Sequence, residues 1–173
     1  MSAVTSTTAS AADYDGLLLQ GGQWRGRSFT GLRVAVLAPG REAALIVPDV
    51  VRTARSVKVF QEEPDWLVAW HLPLPRLLAR PAARLSLRWS VPDPWTRRRL
   101  TPDGRFNTRR PRVDGRYYAA LRQPGCTLIT WPVYAFVPDG VRSAEGIEHR
   151  VDCIVLGTSS VFATASSRED VPA

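Results

Sequence analysis

Apolar positions change their period twice between Gly31 and Trp66, and the rest of the chain is organised around that stretch. Leu32–Leu37 is a short apolar run with β-branched residues, the pattern of a buried strand. Ala38-Pro39-Gly40 reads as a turn. From Arg41 to Ala54, the residues Ala44, Ile46, Val47, Val50, Val51 and Ala54 recur at roughly helical spacing. Val57, Val59 and Phe60 then alternate with Lys58 as a second strand does. Strand, tight turn, helix and strand within about 30 residues is the opening unit of a dinucleotide-binding fold.

The pattern before and after this unit is different. Residues 1–13 are rich in Ser, Thr and Ala and read as a tail. Tyr14–Arg27 holds two short extended pieces around Gly21-Gly22, a predicted hairpin over a sheet edge. Between Trp66 and Trp95 five prolines interrupt an apolar, Trp-rich segment, which predicts short helices, Arg76–Leu87 being the longest. Tyr117–Arg122 predicts a further short helix. Cys126–Trp131, Val133–Val137 and Arg150–Leu156 follow as strands with turns at Pro138-Asp139-Gly140 and Ser143–Gly146, a β-meander whose last strand returns to the main sheet. Residues from Thr164 onward are Ser-rich and charged and read as a fraying end.

The expected class is therefore α/β: a Rossmann-like NAD(P)-binding domain with a shortened helical insert and a β-meander. The expected organisation is a flexible tail and short hairpin over 1–30, the domain over 31–162 with its insert at 67–105, and a disordered tail over 163–173. A length of 173 residues suits one domain. The N-terminus has neither the basic start nor the apolar core of a secretion signal, and no apolar run reaches a membrane span, so a cytoplasmic protein without membrane association is expected. Cys126 and Cys153 sit in apolar strands and read as buried thiols, a disulfide being the less favoured alternative.

The net charge of +7 comes almost wholly from arginine, Lys58 being the only lysine. Such an excess attracts anions in general. The basic run from Thr96 to Arg116 holds only Phe106 as a stacking platform and matches no nucleic-acid module, so nucleic acid is not the expected partner.

The turn after the first strand is where chemistry is expected. Such a turn places small residues at three positions, to tighten the bend, to admit a pyrophosphate and to let the helix pack on the strand. Here they are Ala38, Gly40 and Ala43. Pro39 lacks an N–H and cannot donate to a phosphate. The helix start at Arg41 still favours an anion, and Arg41 adds a charge. Glu62, about 20 residues further on, occupies the place of an acid that accepts from a ribose diol; a solvated acidic loop is the alternative. No catalytic residue stands out. His71, Asp93, Asp114 and His149 are scattered acid–base candidates, with His149 expected at the surface. No metal-ligand spacing occurs.

The segments VKVFQEEPDW, RLTPD, FNTRRPRV, GRYYAALRQPG and PDGVRSAEGIEHRVDCIVL, in this order, resemble class B flavin-dependent monooxygenases of the Baeyer–Villiger and 4-hydroxyacetophenone monooxygenase type. The resemblance covers roughly Gly31 to Thr158. It implies the NADPH-binding part of that family. It also places Arg109 where the family carries a lysine, Glu62 where it carries an arginine for the 2′-phosphate, Ala38 at its first turn glycine and Gly157-Thr158-Ser159-Ser160 at its "ATGF" end. Its implied cofactor-binding set is Gly40, Arg41, Ala43, Glu62 and Arg109. This sequence has no second Gly-rich cradle, so FAD is not expected on this chain alone and competent monooxygenation is not expected without a separate flavoprotein or self-association. A non-redox alternative remains: an accessory or biosynthetic protein holding a small apolar metabolite among Trp66, Trp70, Trp89 and Trp95.

Overall fold

The structure is a computed structural model that describes residues 13–60, 67–68, 76–101, 112–113 and 115–158. Its centre is β2 (Arg33–Leu37), α1 (Gly40–Val50) and β3 (Ser56–Phe60), the predicted unit. β2 and β3 pair in parallel from Arg33 opposite Ser56 to Leu37 opposite Phe60. Two further parallel strands flank them: β6 (Cys126–Ile129) beside β3, and β10 (Cys153–Leu156) beside β2. β1 (Leu17–Gln20) lies outside β10, also in parallel. The sheet thus runs β1-β10-β2-β3-β6.

Both faces of this sheet are covered, which is why its strands read as nearly continuous apolar runs. Val34, Val36, Val57, Val59 and Val155 face α1 and α4 (Gly115–Leu121), meeting Ala43, Ala44, Val47, Val50, Tyr117 and Tyr118. Ala35, Leu37, Phe60, Ile154 and Leu156 point the other way. There they meet Val133, Phe136 and Val141 of an antiparallel meander formed by β7 (Val133–Val137), β8 (Gly140–Ser143) and β9 (Glu148–Arg150). The remaining described elements are α2 (Arg76–Ser90), α3 (Pro94–Arg99) and the short parallel pair β4 (Leu67–Val68) with β5 (Arg112–Val113).

The expected α/β class and Rossmann-like sheet hold, and three local expectations change. Residues 14–27 do not form a hairpin, since Leu17–Gln20 instead extends the parallel sheet at β10 and Gln23–Arg27 turns away from it. Cys126–Ile129 belongs to the main sheet and not to the meander, because its partner is β3. The helix after β2 begins at Gly40 and stops at Val50, with Ala54 still donating to the Val50 carbonyl at 3.0 Å as the chain turns into β3.

Candidate functional site

The chain leaves β2 toward β3 on one side and returns at β10 on the other. The crevice outside the carboxyl ends of β2 and β10 is therefore a topological switch point, the usual ligand position in an open parallel sheet. Ala38 and Pro39 lead from β2 into it. Pro39 is extended (φ −60°, ψ 156°) and caps α1 without a side-chain hydrogen bond. Gly40 opens the helix, Arg41 is half-buried in its first turn, and Ala43 is fully buried, bringing α1 close against the sheet. The spacing of small residues read from the sequence thus falls on a real strand-to-helix turn.

The donors that remain there are few. Pro39 supplies no N–H, and the amides of Glu42 and Ala43 both donate to the Pro39 carbonyl at 2.9 Å. Glu42 supplies an anion of its own. Its carboxylate reaches across the crevice to the end of β10, where the Thr158 hydroxyl donates to Oε1 at 2.5 Å. Gly157, held to β2 by its amide on the Leu37 carbonyl at 2.9 Å, has no side chain. A Cβ there would overlap the Glu42 carboxylate and the Ala38 side chain. Reading the sequence as a cradle missed Glu42. Its only signal is an acid in the first helical turn, which ordinarily means no more than a favourable partner for the helix dipole.

The other expected residues divide. Glu62, Arg109, Trp66, Trp70, His71 and Asp114 lie outside the described residues. Trp89 and Trp95 are 75% and 70% exposed, so neither is core nor the lining of an apolar cleft. Asp93 is the N-cap of α3, accepting from the Thr96 amide at 2.7 Å, and the Thr96 hydroxyl bonded to it lowers its pKa.

His149 is not at the surface. It is 9% exposed, because β9 alternates and turns it in between Glu148 and Arg150, edge-on to Phe60 at 5.3 Å between ring centroids. Its Nδ1 lies 3.3 Å from Lys58 Nζ, while Nε2 is buried without a hydrogen-bond partner among the described residues. Burial, followed by the Lys58 charge, lowers the His149 pKa. Burial, followed by the Arg33 charge, lowers that of Lys58. Lys58 therefore donates to a neutral imidazole, an arrangement of the sheet–meander interface remote from the switch point.

A polar cavity of about 460 Å³ opens at the other end of the sheet, lined by Asp15, Arg33, Asp139, Arg150 and Asp152. Arg33 and Asp152 form a two-pronged pair at 2.6 and 3.0 Å, and the Arg33 amide adds a third bond at 2.8 Å. These bonds hold the Asp152 carboxyl down at about 2. They tie the starts of β2 and β10 together at the amino ends of the strands, away from the crevice.

No protein-family model matches the chain. Among characterised proteins it is 25% identical over 186 aligned residues to a Baeyer–Villiger monooxygenase of Pseudomonas aeruginosa, covering 84% of this chain. It is 27% identical over 190 residues to an FAD-binding monooxygenase of Aspergillus niger, again over 84% of the chain. Over most of its length the chain is similar to Baeyer–Villiger and FAD-binding monooxygenases. It spans about a third of the length of these relatives, 35% and 31% respectively. The fold agrees. A cyclohexanone monooxygenase superposes with a TM-score of 0.74 at 17% identity, over 90% of this chain and 46% of that one. A steroid monooxygenase bound to NADP superposes with a TM-score of 0.76 at 18% identity, over 91% and 44%.

Proposed function

We propose that this chain is a nucleotide-type domain of flavin-monooxygenase descent, built around a crevice of NAD(P)H shape, and that it does not oxygenate a substrate by itself. The observation that carries the reading is the match over 84% of the chain to a third of a Baeyer–Villiger monooxygenase, with the switch-point crevice at its centre. Gly40, Arg41 and Ala43 are its cradle residues, with Glu62 and Arg109 as the ribose-side and phosphate-side contributions. The fit to a dinucleotide is incomplete. Pro39 and Ala38 reduce the donors and the room at the turn, and the Glu42 carboxylate stands where a pyrophosphate would approach the helix.

In enzymes of this kind the flavin performs the oxygen chemistry and the protein positions it. This sequence has a single Gly-rich cradle, so a flavin platform would lie outside these 173 residues. The reading of the insert as an apolar metabolite pocket is not favoured, since Trp89 and Trp95 face solvent. The test is to purify the chain, record its spectrum and follow oxygen with NADPH and NADH. Absence of a flavin band near about 450 nm and of nucleotide-dependent oxygen uptake is expected; a yellow protein that consumes oxygen would overturn the proposal.

A further inference from the structure

We infer that Glu42 is a built-in occupant of the crevice's anion position, a latch that keeps a pyrophosphate out while its carboxylate stays on Thr158. The inference rests on the reading of the crevice as nucleotide-shaped and deepens it, by naming the residue that sets whether the crevice is open.

Three independent features of the geometry converge on this. The carboxylate lies over the ends of β2 and β10, touching the space above Gly157, and is held there by the Thr158 hydroxyl at 2.5 Å. That is the side of α1 on which a dinucleotide pyrophosphate meets the helix N-terminus. The second feature is that three of the amide positions around the turn are engaged or lack an N–H. Glu42 and Ala43 donate to the Pro39 carbonyl, and Pro39 has no N–H. An incoming phosphate would meet the Glu42 charge beside the Gly40 and Arg41 amides, and like charges repel. The third is that Gly157 leaves the carboxylate its room, since a Cβ at that position would overlap Glu42 Oε2 and the carboxylate would have to move. The positive end of α1, which favours an anion, is thereby satisfied from within the chain.

Glu42 in a first helical turn is also what plain dipole stabilisation would select, so the test must separate the two roles. The 173-residue chain and its Glu42→Ser, Glu42→Gln and Thr158→Val forms are titrated separately with inorganic pyrophosphate and with NADPH. Binding is read by calorimetry and by thermal melting against chloride at matched ionic strength. The wild type is expected to bind both more weakly than about 1 mM, and Glu42→Ser to bind pyrophosphate at least tenfold more tightly, which corresponds to about 1.4 kcal/mol. Glu42→Gln keeps the side-chain size and serves if the serine form does not fold. Thr158→Val, which removes the Thr158 contact while keeping the carboxylate, is expected to fall between. If wild type and Glu42 variants bind pyrophosphate within twofold of one another, or none binds it, the latch is overturned. If pyrophosphate tightens on the variants while NADPH does not, the latch stands and the dinucleotide reading falls. If NADPH binds every form equally, the dinucleotide reading stands and the latch falls.

Discussion

His149 shows how one residue's surroundings change its chemistry. It is buried against Phe60 with Lys58 at its Nδ1, and its pKa lies below the usual 6.5. In the unfolded chain the same imidazole takes up a proton more readily. Its contribution to stability is therefore complete above about pH 6.5 and declines as the pH falls toward the depressed folded value. The groups facing it are Lys58, which opposes protonation, and Glu145, which weakly favours it. The urea midpoint of the wild type is expected to drop between pH 8 and 5.5, and that of His149→Leu to change much less over the same range. Asp152 acts in a separate window, since its stabilising pair with Arg33 is lost only as the pH falls from 3.8 to about 2. The cysteines give a second check at this scale. Burial pushes Cys126 up to about 12 and Cys153 up to about 11, leaving almost no thiolate at neutral pH. Neither should react with iodoacetamide at pH 8 in the native protein, and both should react in denaturant.

At the scale of elements, the meander is the part most exposed to single backbone changes. Gly140 begins β8, and a Cβ there would run into the His149 carbonyl across the strand pair. Gly140→Ala is expected to cost about 1–3 kcal/mol, because backbone atoms must move apart and no side chain can rotate away. Chemical denaturation would show it as a lower midpoint, together with loss of the near-ultraviolet signal from this face. The elements themselves were largely legible. The strand–turn–helix–strand unit could be read because its period changes at the turn, and α2 and α4 could be read from helical spacing. β8 and β9 were not read, since three and four residues between turn signals carry too few positions to establish alternation. α1 was expected to run to Ala54 because the apolar spacing continues there; its last residues instead pack as a turn that feeds β3.

At the scale of the whole molecule, the N-terminal stretch is part of the sheet. Leu19, Trp24 and Phe29 are at most 7% exposed, and the Tyr14 hydroxyl donates to the Val151 carbonyl at 3.1 Å. Each such burial is worth about 1.5–3 kcal/mol, and their sum rivals the net stability of an ordinary domain. A form beginning at Thr30 should therefore lose cooperative unfolding and precipitate, which circular dichroism and sedimentation would show. A form that melts like the parent would contradict the place of β1 beside β10. The candidate crevice also belongs to this scale. Its turn residues Gly40, Arg41 and Ala43 are neighbours in sequence and were found there, whereas Glu42 acquires its role only from a partner 116 positions away.

The sequence alone determined the local alphabet of this protein: which segments alternate or wind, where the small residues of the turn fall, and the ordered blocks that tie it to flavin monooxygenases. Those properties follow from side-chain period and backbone freedom within a few residues. Only the tertiary structure decided that β1 joins β10, that His149 turns inward, and that Glu42 meets Gly157 and Thr158 across the switch point. Each depends on which strand lies beside which, and a period of two or of 3.6 tells a side chain the face it takes but never the neighbour it will find.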